Sequence, residues 1–324
     1  MSLPASLRDR LRLPLIAAPM FLVSGPALVT AACRAGVVGS FPTANCRTVE
    51  ELDVWLAGMA DDARRAADAD GRAPVPWCPN LIVHRSNPRV PDDLAAVLRH
   101  KAEIVITSVG SPEPVMKPLK DAGCLVLADV ASVRHAEKAV AAGVDGLVLL
   151  TAGAGGQTGW ANPFAFVRAV RQFWDGIVVM AGGMADGHAV AAAQALGCDL
   201  AYMGTRFIAT RESLAKDAYK EMLVSSRLDD VLLTRAFTGL ETNMLRPSIA
   251  AAGLDPDNLP VRGKIDISKD INAAERDRPD AKRWKDIWSA GHSVSGVRDV
   301  PPVAALIERT ASEYDAARRS MQGV

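Results

Sequence analysis

The chain has 324 residues, 49 % of them hydrophobic and 23 % charged, and its 37 basic and 37 acidic side chains cancel. A formal charge of zero gives no electrostatic reason to expect nucleic acid or an acidic membrane surface as a partner. No apolar run reaches the roughly 18 residues of a membrane helix, and the length suits one (β/α)8 barrel of about 250 residues with a modest addition.

Short apolar strings alternate with helical stretches along the chain. Leu15–Ala18 reads as a strand, Pro26–Ala35 as a helix stopped by Gly36, and Val37–Ser40 as the second strand. The amphipathic stretch Thr48–Ala67 carries acidic residues near its start, which complements the helix dipole. Val75–Leu81 and Ile104–Thr107 read as strands, each followed by a helix, Pro91–His100 and Pro114–Ala122. Leu125–Ala128 is the fifth strand, and Ser132–Ala142 a helix with Ser132 as its N-cap. Gly146–Leu150 is the sixth, and Asn162–Phe173 a helix with Asn162 as N-cap and Pro163 in its first turn. Ile177–Ala181 and Leu200–Met203 complete eight strands, separated by the helix Asp186–Ala195. The strands are apolar runs without alternation, as expected when both faces of a parallel sheet are covered. Periodicity does not separate a closed barrel from a doubly wound open sheet. The count of eight favours an α/β (β/α)8 TIM barrel.

The rhythm stops near Ser213. Ala215–Ser226 looks helical, and residues 227–280 hold scattered Pro and Gly with mixed charge. We expect a small, mostly helical inserted lid over 214–279 on a barrel formed by 1–213 and 280–324. The chain would return to the barrel through Asp280–Trp288 and close with the helix Pro301–Met321. Five cysteines, at 33, 46, 78, 124 and 198, show no C-x-x-C spacing. Free buried thiols are expected rather than disulfides or zinc, which points to a reducing, cytoplasmic setting. The first residues, Met1–Arg12, do not read as a signal peptide.

Two glycine-bearing strings carry the strongest chemical signal. Val178–Met184 and Tyr202–Phe207 each end an apolar run and precede a helical pattern, about 22 residues apart. Successive strand ends of this kind aim backbone N–H groups at one phosphate, a recurring device after strands seven and eight of barrels. Ala17-Ala18-Pro19-Met20 ends the first strand with small residues that either admit a ligand ring or form a plain turn. Asn80 ends the third, where it either binds a cofactor through its amide or caps a turn. Thr151–Gly159 holds four glycines and is a backbone-rich loop, either ligand-binding or a bare lid. His292 lies among small residues beside Trp288, a setting that suits a planar neighbour. No Ser/His/Asp order, metal-ligand spacing or paired-carboxylate pattern stands out.

Over most of its length, and most clearly in Ala17–Met20, Asn80, Ser132–Ala136, Gly153–Gly159, Ala181–Gly187, Met203–Glu212 and Ile287–Gly291, the chain resembles the nitronate monooxygenase (2-nitropropane dioxygenase-like) family of FMN enzymes. The resemblance implies FMN, with its phosphate at Gly182, Gly183, Gly204 and Thr205, joined by Gly155 and Gly156. Ala18, Pro19 and Met20 would face the isoalloxazine with Asn80 nearby, and Gln157, Asp129, Ala181 and Met203 complete the expected cofactor set. Two positions depart from the family pattern. Gln157 stands where many members have a histidine beside the flavin, the proposed base. Asp129 stands where some relatives have a lysine, and a carboxylate there would repel an anionic group. Gln157 and His292 are the catalytic candidates. The activity implied is oxidation of alkyl nitronates with O₂ to a carbonyl compound and nitrite. An NAD(P)H-dependent FMN reductase of quinones or enoyl compounds is the alternative, and a sugar-phosphate isomerase or aldolase, or a non-catalytic binder, a third. The expected partners are a small-molecule substrate and O₂, with NAD(P)H in the alternative, and the chain is expected to be a monomer or homodimer.

Overall fold

The computed structural model describes residues 3–71, 73–260 and 287–323. Eight parallel strands close into a barrel: β1 (Leu15–Ala17), β2 (Val38–Pro42), β3 (Trp77–Ile82), β4 (Ile104–Ser108), β5 (Leu125–Val130), β6 (Gly146–Leu150), β8 (Ile177–Ala181) and β9 (Leu200–Met203). Pairing of Ile16 with Tyr202 across β1 and β9 completes the ring. The fold is therefore the TIM barrel expected, not the open sheet. The predicted strands are all present, with ends shifted by one or two residues. The caps form as read: Ser132 Oγ accepts from His135 N–H, and Asn162 Oδ1 from Phe164 N–H.

Side chains alternate between the two faces of every strand. Leu15, Ala17, Trp77, Leu81, Val126, Ala128, Val178, Met180, Ala201 and Met203 point outward into the layer shared with the helices. Ile16, Cys78, Ile104, Ile106, Leu127, Val148, Val179, Leu200 and Tyr202 point inward and fill the barrel. Both sets are buried, which is why the sequence shows apolar runs instead of alternation. A short helix, Ala5–Arg8, was not anticipated. Its Leu7, with Leu3, joins the inward set and plugs the end where the strands begin.

β9 is followed by the one-turn helix Thr205–Ile208, and the lid intervenes before the C-terminal helix Val303–Gln322 takes the eighth outer position. That helix packs against the helix Gly187–Leu196 at very short range. A Cβ on Gly187 would lie 2.1 Å from Tyr314 N, so only glycine fits the crossing. Gly187 N–H also donates to Glu313 Oε2 at 3.0 Å.

The described part of the lid holds the helix Asp217–Ser225, a hairpin of β10 (Val231–Thr234) and β11 (Thr242–Leu245), and the helix Arg246–Ala251. The hairpin adds strands to a segment read as mostly helical. β11 also pairs antiparallel with β7 (Gly156–Gln157), a two-residue strand in the loop after β6. The lid's second boundary at 279/280 and most of the return segment Asp280–Trp288 lie outside the described residues.

At the base of β8 and β9 sits a buried ion pair. Arg171 Nη2 lies 2.7 Å from Asp199 Oδ2, and the Asp199 side chain is 1 % exposed. The same oxygen accepts from Val178 N–H at 3.0 Å, and Arg171 also donates to Gly176 O at 2.7 Å and Gly197 O at 2.9 Å. Removing one partner strands the other charge in a dry site. Asp199→Ala should lower stability by about 3–5 kcal/mol, read as a fall in the urea midpoint.

Candidate active site

The barrel opens, at the ends of its strands, into a cavity of about 340 Å³ roofed by the lid. That volume lies within the roughly 300–1,000 Å³ typical of ligand sites, and the position is where barrel enzymes keep theirs. Its floor is made by inward residues near the ends of the strands: Ala18 just past β1, Asn80 on β3, Ser108 on β4, Asp129 on β5, Leu150 on β6, Ala181 on β8 and Tyr202 on β9. Strand parity alone collects these seven residues from seven strands.

Backbone turns form one wall. Gly182 and Gly183 follow β8 with φ of +114° and +73°, values that L side chains rarely adopt. A Cβ on Gly183 would meet nothing within 4 Å, and one on Gly204, past β9, would meet only Met20 Sδ at 3.6 Å and Ala18 Cβ at 3.7 Å. Gly183 therefore faces open space and Gly204 faces the Ala18–Met20 segment with room to spare, while Gly182 is packed closely, its Cβ position 2.4 Å from Thr151 Oγ1. That segment is itself pinned: Asn45 Nδ2 donates to Met20 O at 3.0 Å and Ser24 O at 2.8 Å, and its Oδ1 accepts from Leu22 N–H at 2.8 Å. Leu22 needs this support, because its φ is +59°.

The glycine-rich loop after β6 is fixed from above. Thr242 and Asn243 of β11 pair with Gln157 and Gly156, and Asn243 Nδ2 donates to Ala154 O at 2.7 Å. Gly155 and Gly291 meet backbone to backbone; a Cβ on Gly155 would lie 2.7 Å from Gly291 N. Gly291 N–H in turn donates to Thr205 Oγ1 at 2.9 Å. The loop, the lid and the turn after β9 thus form one hydrogen-bonded frame around the mouth.

Of the residues singled out from the sequence, Ala18, Pro19, Met20, Asn80, Asp129, Gly155, Gly156, Gln157, Ala181, Gly182, Gly183, Gly204 and Thr205 all line this cavity. Met203 and His292 do not. Met203 occupies an outward position of β9, one residue from the inward Tyr202, and is fully buried among the helices. His292 is exposed on the outer side of the loop, where its N–H donates to Gly153 O at 2.9 Å and its ring lies over Gly153. A direct part in chemistry inside the cavity does not follow from that position. Tyr202, Ser108 and Tyr219 line the cavity but were not read as site residues. The last-inward-residue rule would have found Tyr202 and Ser108. Tyr219 is a lid residue, stacked on Trp288 at 5.0 Å between ring centroids, and has no local signal.

The polar groups of the floor differ in their partners. Ser108 Oγ donates to Asn80 Oδ1 at 3.1 Å, and Asn80 Nδ2 to Ile106 O at 3.4 Å. Asp129 Oδ1 and the Tyr202 hydroxyl are shielded from solvent and have no hydrogen-bond partner among the described residues. Burial pushes the Asp129 carboxyl from 3.8 up to about 8, and pushes the Tyr202 phenol well above its ordinary value. Burial therefore favours the carboxylic acid at Asp129 over the carboxylate expected from its sequence position.

The fold is a TIM barrel with a cavity at the ends of its strands, and its family membership makes it an oxidoreductase. A family model described as nitronate monooxygenase matches residues 80–313, and the chain belongs to that family. A nitronate monooxygenase of Pseudomonas aeruginosa is 30 % identical, the match covering 93 % of this chain and 95 % of that one. A nitronate monooxygenase of Paraburkholderia phytofirmans is 29 % identical over 339 residues, 91 % of each chain. Among solved structures, FabK from Thermotoga maritima superposes with a TM-score of 0.78 over 98 % of this chain and 97 % of its own, at 24 % identity, and so shares the fold.

Between about pH 4 and pH 8 the folded protein holds a proton on Asp129 that the unfolded chain has released. The native state binds more protons, so this group's contribution to stability falls as pH rises through that window. Asp129→Asn should match wild type near pH 4 and gain on it towards pH 8. The gain should reach about 1–4 kcal/mol at pH 7, measured by urea unfolding at each pH.

Proposed function

We propose that the chain is an FMN-dependent oxidoreductase that oxidises alkyl nitronates with O₂ to a carbonyl compound and nitrite. The observation that carries this reading is the pair of glycine turns after β8 and β9, which leave open space on the wall of a cavity floored by the inward ends of seven strands. A phosphate suits such a place, because backbone N–H dipoles approach it with no Cβ in the way. Gly182, Gly183, Gly204 and Thr205 would hold it, with Gly155 and Gly156 from the facing loop. The small surface of Ala18, Pro19 and Met20 would lie against the ring system, and the unpartnered Asp129 and Tyr202 would meet its polar atoms. When bound, FMN supplies the redox chemistry.

The rest falls to the protein. The lid, laced to the β7 loop by β11, excludes bulk water from the reacting atoms. Lys216, in the loop before Asp217–Ser225, is the cationic side chain among the described residues of the lining, and it would attract an anionic substrate. Gln157 orients the substrate through its amide but takes no proton near neutral pH. Tyr219, held up at about 12 by burial, and the protonated Asp129 are equally unfit as bases there. A nitronate is already deprotonated and needs none; a neutral nitroalkane must first lose a C–H proton. We infer a single-unit barrel of 1–213 and 280–324 with 214–279 as the substrate-facing lid.

The FMN-loaded protein should release nitrite from a nitronate in the presence of O₂ and show little turnover of the neutral nitroalkane at the same pH. Gln157→His should raise the neutral-substrate rate at least about tenfold, since a positioned base contributes 10²–10⁴ in favourable cases. A panel of nitronates that yields no nitrite, alongside rapid anaerobic bleaching of the flavin by NADH or NADPH, would replace this activity with that of a reductase.

A further inference from the structure

The floor of the cavity holds two kinds of polar group. Asn80 and Ser108 are bonded to each other. Asp129 and Tyr202 line the same cavity, and Asp129 Oδ1 and the Tyr202 hydroxyl reach no partner among the described residues. Tyr202 is only 8 % exposed. Buried polar atoms are almost always bonded, and orphans at a cavity floor are satisfied by what enters the cavity. Apolar neighbours include Leu127, two residues earlier on β5, and Val148, the register partner of Asp129 on β6, and Leu150 and Ala181 line the same cavity.

We propose that Asp129 and Tyr202 form a neutral two-point hydrogen-bonding floor for a planar heteroaromatic ring, with Asp129 bonding to it as a protonated carboxylic acid that donates to a ring nitrogen or carbonyl oxygen. This rests on FMN as the occupant, and it makes the acid at position 129 an uncharged donor. The surroundings hold the acid neutral by desolvation, with a value near 8. Facing a ring acceptor, an ionised Asp129 would repel it and lose the bond that the acid donates, so this mode of binding requires the proton. The complex then keeps that proton to a higher pH than the free protein does, and the ligand's affinity falls as pH rises past about 8. The other titratable groups near Asp129 are the Cys78 thiol on β3 and the Tyr202 phenol on β9, both pushed well up by burial and both neutral across the range. The adjoining strands β4 and β6 present Ser108 and Leu150, which do not titrate. Lys216 and Tyr219 face the cavity from the lid.

The test is a titration of FMN into the full chain freed of flavin, followed by flavin fluorescence from pH 6 to pH 9.5. Wild type and Asp129→Asn are compared, so that the ionisations of FMN and of the lid cancel. The wild-type Kd relative to that of D129N should be level below pH 7.5 and rise up to about tenfold per pH unit above 8. Tyr202→Phe should weaken binding at every pH and keep the wild-type slope. In addition, wild type loaded with FMN at pH 7 should show the infrared C=O stretch of a protonated carboxyl that D129N lacks, a readout that survives if either variant folds poorly at high pH. Tight FMN binding with parallel wild-type and D129N curves and no such band would overturn the neutral-acid floor and leave the FMN reading standing. Failure of wild type to bind FMN at any pH would overturn both.

Discussion

Everything at the mouth of this barrel depends on the two-residue alternation of side chains along strands that curl into a closed ring. Once the ring closes, each strand has one face in the barrel and one against the helices, and a position's parity decides which. Asn80, Asp129, Ala181 and Tyr202 share no sequence neighbourhood, yet parity and register bring them to one floor. Met203, one residue from Tyr202, is sent to the opposite side for the same reason.

The two ends of the barrel treat buried charge in opposite ways. At the closed end Asp199 is saturated, by Arg171 and by the Val178 amide, and Leu3 and Leu7 seal the interior beneath it. At the open end Asp129 and Tyr202 are left without partners, and the carboxyl responds by holding its proton. A fold tolerates such a cost where function needs it, provided the rest of the scaffold is well satisfied. The Asp199 ion pair thus sits far from the cavity, whereas the unpartnered Asp129 Oδ1 and Tyr202 hydroxyl line it.

The lid is not a separate body resting on the barrel. β11 adds an edge to β7 inside the glycine-rich loop and Asn243 reaches Ala154 O, while Gly291 N–H, from the segment that follows the lid, reaches Thr205 Oγ1 beyond β9. Glycines at 155 and 291 permit this because a side chain at either would strike backbone. The consequence is that the loop, the lid and the turn after β9 hold one another in place, so a change in any one is felt at the cavity wall.

Much of this was legible in the chain itself. Apolar runs, N-caps at Ser132 and Asn162, and glycine stops set the eight strand–helix repeats, because those signals are local and act within a turn or two of where they occur. The glycine strings after the last two strands marked the cavity wall, since a backbone that a ligand approaches closely must shed its Cβ atoms there. What lay beyond local signals was decided by burial and distance. The lid's pairing with β7 joins residues some 85 positions apart. His292, attractive beside Trp288, is turned outward by its bond to Gly153. The charge on Asp129 could not be read from its letter, because a carboxyl's proton is held or released by the polarity around it, and only the closed barrel supplies that surrounding.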